Sequence, residues 1–195
     1  METFIREYQL ADTSICDAML ELFGKAVDAG LVRDGQAGKH AAADQRVKKS
    51  TDFSLERADA LGGADDFKQA AYRAELFGFL NDYMRDTKIL EHGGRFRMRH
   101  APQIQWYKPG EGFYAWHVDS AYAESDRALA FITYLNDVKD GGGTEFFHQG
   151  FVATPRKGNT VIFAAGLTHV HRGVVSPTEH KYILTGWLHW DGYQP

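Results

Sequence analysis

Tyr107-Lys-Pro-Gly-Glu-Gly-Phe-Tyr-Ala-Trp-His117-Val-Asp119 opens the stretch on which the reading of this chain turns; His171-Arg-Gly173 and Lys181-Tyr-Ile-Leu-Thr-Gly-Trp187 close it. Side chains repeat every two residues along an extended segment, so His117 and Asp119 face the same side. With a distant second histidine they make a donor set suited to one face of an octahedral iron(II), leaving three positions for other ligands. Lys181, ten residues past His171, adds a cation that can hold an acid by its far end.

The triplet alone says little. Nine His and 16 Asp in 195 residues give about 0.7 His-x-Asp triplets by chance. A second copy does occur, His189-Trp-Asp191. No histidine or base follows it, so it reads as the end of a strand. The first copy differs in its surroundings. Residues 107–112 are turn-rich and suit a hairpin mouth. After Asp119 come the strand-like run 128–135, Asn136-Asp137, Gly141-Gly-Gly-Thr-Glu-Phe146, the turn Pro155-Arg-Lys-Gly158-Asn159 and the apolar run 160–164. Short strands separated by Gly, Pro and Asp turns, dominant from Arg95 onward, argue for a barrel or sandwich.

Taken together, Tyr107…Gly112…His117-x-Asp119, Tyr134-Leu-Asn-Asp137, Gly142-Gly-Thr-Glu-Phe146, Pro155…Gly158 and His171-x-Gly173…Lys181 form an ordered set. It resembles the iron(II)- and 2-oxoglutarate-dependent dioxygenases, most closely their prolyl hydroxylase-like branch. The resemblance covers roughly residues 100 to 190 of the chain. It implies a mainly β fold with flanking α-helices, the double-stranded β-helix, a cupin-like jelly roll. It also implies His117, Asp119 and His171 as metal ligands and Lys181 as the partner of the distal carboxylate of 2-oxoglutarate. A buried ammonium–carboxylate pair needs further hydrogen bonds, and Tyr107 and Thr185 carry hydroxyls to supply them. The implied cofactors are Fe(II), 2-oxoglutarate as co-substrate and O2, with ascorbate as an accessory reductant.

The implied reaction is hydroxylation of an unactivated carbon, in a prolyl or other amino-acid side chain of a peptide or protein, or in a free amino acid. An aspartate at position 119 favours hydroxylation over halogenation, which in related enzymes needs that ligand missing. Nucleic-acid repair relatives place arginines after the last ligand, where this chain has Lys181. His169 stands two residues before His171 and is the alternative second ligand; His171 is preferred for its His-x-Gly context and its spacing to Lys181. Arg127 is placed at the pocket mouth, toward substrate. A metal-binding cupin-like barrel acting as sensor or binding module would use the same three ligands but leaves Lys181 unexplained.

The whole-chain properties agree. At 195 residues and 44% hydrophobic the chain supports one domain with a proper core. A net charge of −4 speaks against a general nucleic-acid binder. The single cysteine, Cys16, excludes an internal disulfide framework and reads as a small core residue. Glu2, Arg6, Glu7 and Asp12 interrupt any signal-peptide core, and no apolar run approaches a membrane span; the expected location is the cytoplasm, with no membrane partner.

The expected single domain spans 1–195, with helical support and a lid-like loop in 1–94 and the jelly roll in 95–195. Ile15, Met19, Leu22, Phe23 and Val27 predict a helix over 14–29, started by Ser14 with Asp17 and stopped by Gly30. Phe67, Ala71, Ala74, Phe77 and Tyr83 predict a second helix over 64–87, with Gly93-Gly94 ending the helical region. Residues 33–63 are polar and read as a loop. Within it, 46–52 is either a pocket cover or, preferred on general grounds, a solvated segment. Gly35-Gln-Ala-Gly38-Lys39 lacks the spacing of a phosphate loop. Arg95, Arg97 and Arg99 share a strand face, as a charge-protected edge or a basic rim. His148 and His180 read as surface residues.

Overall fold

The computed structural model describes residues 2–37, 44–61, 66–88, 95–121 and 125–191. In chain order its elements are β1 (Ile5–Gln9), α1 (Ser14–Asp28), β2 (Arg33–Asp34), β3 (Thr51–Ser54), α2 (Asp66–Asp86), β4 (Phe96–Arg97) and β5 (Gln103–Tyr107). There follow β6 (Arg127–Tyr134), β7 (Thr144–Phe146), β8 (Phe151–Ala153), β9 (Asn159–Ala164), β10 (His171–Gly173) and β11 (Lys181–Trp190). The main sheet runs β2-β3-β5-β11-β6-β9-β1, with β4 against the end of β11, and a small sheet runs β10-β7-β8. All of these pairings are antiparallel. A single bridge joins His117 to His171, so the His-x-Asp segment runs beside β10. This is the expected double-stranded β-helix, mainly β with flanking helices.

Both faces of the main sheet are buried, and that explains the unbroken apolar run in β6. Leu129 and Phe131 face the helices, while Ala130, Ile132 and Tyr134 face the inside of the roll. A strand covered on both sides reads as continuous rather than alternating. In β11 the same alternation sends Leu184 and Leu188 to the helix layer and aims Lys181, Ile183, Thr185 and Trp187 inward.

Ile15, Met19, Leu22 and Phe23 of α1, with Tyr72, Leu76, Leu80 and Tyr83 of α2, cover the outer face. The expected face of α2 is therefore rotated: Phe67 and Phe77 are exposed at 76% and 49%. This helix carries apolar residues all round, so sequence spacing does not select one stripe; packing against α1 and the sheet does. On α1, Ala26 is buried and Val27 exposed. The expected Ser14–Asp17 cap does not form. Asp12 instead accepts from the Ser14 N–H and hydroxyl, and Asp17 binds Lys157. Gly30 does stop the helix, at φ +65°, with Leu31 N–H bonded to Ala26 O at 2.8 Å.

The N-terminal half, expected to supply helices and a loop, also supplies β1, β2 and β3 to the main sheet. The solvated-loop reading of 46–52 is corrected as well. Thr51–Ser54 is a sheet strand, and Lys48, Ser50 and Asp52 are buried. Gly38, Lys39, the start of the second helix at 64 and Gly93-Gly94 lie outside the described residues. Arg97 pairs with Asp191 at 3.7 Å and Arg99 with buried Asp126, which fits a charge-protected edge rather than a basic rim. No described helix is long and apolar enough to cross a membrane.

Candidate active site

The His-x-Asp segment is held by its backbone. His117 N–H and O both bond His171, at 3.0 and 2.9 Å, and the N–H groups of Asp119 and Ser120 converge on Ala165 O. Residues 47–49 brace it from behind: Lys49 N–H donates to Gly112 O and Tyr114 N–H to Val47 O, both at 2.9 Å. The result brings one oxygen or nitrogen of His117, Asp119 and His171 within 4.8 Å of one another. His171 Nε2 lies 3.6 Å from Asp119 Oδ2, close to the roughly 3 Å between adjacent ligands of one octahedral ion.

The protonation pattern suits a metal. His117 Nδ1 bonds Ala115 O at 3.0 Å and His171 Nδ1 bonds His169 O at 2.9 Å. A carbonyl only accepts, so each Nδ1 carries a hydrogen, and in the neutral ring that leaves the lone pair on Nε2, the arrangement that orients metal-binding imidazoles. Burial first, and then the neighbouring His171, hold His117 down to about 4, which keeps it a neutral donor at neutral pH. Phe113 stacks on its ring at 3.6 Å between centroids.

His169, the alternative ligand, is outside this cluster. It sits in a 3-10 turn, Leu167–His169, ahead of β10 rather than on it. Its ring nitrogens are engaged by Thr168 Oγ1 and Thr3 O, both at 2.9 Å. His148 and His180 are exposed, and His189 pairs with Asp126 rather than with Asp191.

Lys181, Tyr107 and Thr185 line the same cavity as the three candidate ligands. Lys181 is buried, and its ammonium lies 4.5 Å over the Tyr107 ring. Among the described residues it has no carboxylate partner. Loss of water alone pulls its pKa to about 8. A buried cation without a counter-ion, in a cavity shared with a metal-type donor set, fits an anionic chelator. The two hydroxyls are placed differently from expectation. Thr185 donates to Phe131 O at 2.8 Å and Tyr107 donates to Gln105 at 2.6 Å, so Tyr107 meets Lys181 through its ring face.

Sequence reasoning missed Gln105, Phe113, Thr144 and Trp187, which also line the cavity. Gln105 and Trp187 carried a signal, since they alternate with Tyr107 and Thr185 on the same strand faces. Arg127 stacks on Trp187 at 3.8 Å and donates to Asp119 O at 3.3 Å, bracing the backbone of the candidate carboxylate ligand.

Behind Phe113 lies a closed ion pair. Lys48 Nζ bonds Asp52 at 2.8 Å, each side chain 3% exposed, and Ser50 donates to the other carboxylate oxygen at 2.7 Å. Lys48→Met strands the Asp52 charge and is expected to cost about 3–5 kcal/mol in a urea denaturation series.

Two imidazoles and a carboxylate whose ligand atoms could hold one metal ion share a cavity with a buried lysine inside a double-stranded β-helix. Residues 102–189 match the profile of the 2OG-Fe(II) oxygenase superfamily. No curated protein matches the chain in sequence. Over nearly its whole length the fold is similar to solved prolyl hydroxylases. A Pseudomonas putida prolyl-4-hydroxylase aligns at TM-score 0.69 and 18% identity, over 97% of this chain and 94% of that one. The viral collagen prolyl hydroxylase of Paramecium Bursaria Chlorella virus-1, solved as its 2OG complex, aligns at 0.65 and 18%, over 95% of each. A Trichoplax adhaerens prolyl hydroxylase, solved with a hypoxia inducible factor peptide fragment, aligns at 0.70 and 15%, over 96% and 84%. At these identities the likeness is one of fold.

Proposed function

We propose that the chain is an iron(II)- and 2-oxoglutarate-dependent hydroxylase acting on a prolyl or other amino-acid side chain, in a peptide or protein. The observation that carries this reading is Lys181: a buried ammonium without a carboxylate partner among the described residues, in one cavity with His117, Asp119 and His171. A metal-binding module without oxygenase activity gives no reason to bury that charge.

His117, Asp119 and His171 would hold the iron, and Lys181 the distal carboxylate of the co-substrate. Bound iron, 2-oxoglutarate and O2 together supply an oxidant strong enough for an unactivated C–H bond, with succinate and carbon dioxide as co-products. The protein's own part is geometric. The two Nδ1–H···O bonds keep both Nε2 lone pairs aimed at one point, and Phe113 fixes the His117 ring. Lys181 orients the co-substrate along the cavity. The Arg127–Trp187 pair stands beside Asp119, where a substrate side chain would enter.

The substrate class draws support from the solved relatives whose names specify collagen prolyl hydroxylase and a bound peptide fragment. A side-by-side screen of prolyl peptides and free amino acids, read by succinate release, tests it. Stimulation by peptides alone is the expected result. Stimulation by free amino acids alone would replace the peptide substrate, and no stimulation by either would count against an amino-acid substrate.

A further inference from the structure

Under the reading just proposed, the distal carboxylate of 2-oxoglutarate would face one ammonium inside a buried cavity. A buried carboxylate needs more than one donor to offset the loss of water. Among the described residues the hydroxyls lining the cavity are engaged elsewhere, Thr185 on Phe131 O, Tyr107 on Gln105 Oε1 and Thr144 with the Tyr134 hydroxyl. The second of these bonds fixes the other end of the glutamine amide. Gln105 is 6% exposed and lines the cavity. Its oxygen is held by the phenol, so its nitrogen points away from Tyr107. Among the described residues that Nε2 has no hydrogen-bond partner. Two N–H groups on a side chain that lines the cavity are available to an acceptor bound there.

We infer that Gln105 binds the co-substrate, its Nε2 donating to the distal carboxylate beside Lys181. The inference rests on the assignment of Lys181 to that carboxylate. The strand register supports it: β5 and β11 pair Tyr107 with Lys181 and Gln105 with Ile183. Gln105 and Lys181 are thus diagonal neighbours on one sheet face, a separation of about 7–8 Å that long side chains span. Tyr107 is then a positioning residue. Its phenol, kept protonated by burial and flanked by Ser50 and Asp52, holds the amide oxygen away from the incoming anion. Its ring supports Lys181 from below.

The test is a calorimetric titration of the Mn(II)-loaded protein with 2-oxoglutarate and with 2-oxopentanoate, which keeps the chelating end but lacks the distal carboxylate. Q105M is expected to weaken 2-oxoglutarate about 10- to 100-fold and to leave 2-oxopentanoate within about twofold, the pattern of one lost hydrogen bond to a charge. Q105E keeps the shape and the acceptor for the phenol, and so carries the test if Q105M fails to fold. It places a carboxylate against Lys181, and is expected to raise the melting temperature of the metal-free protein while losing 2-oxoglutarate more completely than Q105M. Wild-type affinity in the folded Gln105 variants, with K181A still weak, would overturn the role of Gln105 alone. If K181A also binds 2-oxoglutarate normally, or the wild type binds both acids equally, the Lys181 assignment fails and takes this inference with it.

Discussion

Asp119→Ala is expected to abolish substrate-dependent succinate release and to leave the protein unable to retain iron(II). Among the described residues the side chain supplies the carboxylate of the cluster with His117 and His171. Residues that merely orient a metal ligand change affinity by about 10- to 100-fold, so removing a ligand should cost more than about 100-fold. The fold should survive, because the segment is anchored by the main-chain bonds of Asp119 and Ser120 to Ala165 O, which the substitution leaves in place. Metal content after dialysis and succinate release are the two measurements. His117→Ala should behave alike, whereas His169→Ala should keep its iron, since both ring nitrogens of His169 are bonded elsewhere. Unchanged turnover in both ligand variants would remove the metal assignment.

Lys181→Ala should weaken 2-oxoglutarate by about 100-fold or more, the scale for truncating one partner of a buried charge pair. The wild type should also show a pH signature that the variant lacks. Burial lowers the Lys181 pKa from its usual 10.5 to about 8. A carboxylate binds the protonated form, so affinity is full below pH 8. As pH rises through 8 the free protein loses the proton, and binding must restore it. Affinity then falls by about tenfold per pH unit, until the raised pKa of the complex is reached. In Lys181→Ala that slope should vanish over the same range. A wild-type affinity that stays flat from pH 7 to 9.5 would contradict a lysine–carboxylate contact.

The metal-type donor set was legible because it depends on local rules. Residue type decides which atoms can bind a metal, and the period of two puts His117 and Asp119 on one side. The inward row Lys181, Ile183, Thr185 and Trp187 follows from the same period. The face of α2 was not legible, because apolar residues surround that helix and its neighbours choose which ones are buried. Three N-terminal strands were hidden for a related reason. β1 pairs with β9 and β3 with β5, and pairing across such separations leaves no periodic trace in a short polar segment.

The choice between His169 and His171 shows the same division at one site. Their spacing allows either to be a ligand. A 3-10 turn removes the first, and a backbone bridge to His117 brings in the second.

The amino-acid sequence by itself determined which groups are able to bind metal and acid, and that the second half of the chain forms short paired strands. Composition and periodicity act over a few residues, and those properties are local. Only the tertiary structure decided which nitrogens remain open, which hydroxyls are already engaged, and that Gln105 lines the cavity. Each of those depends on hydrogen-bond partners supplied by distant strands, because a buried polar group takes whatever donor or acceptor the packing leaves beside it.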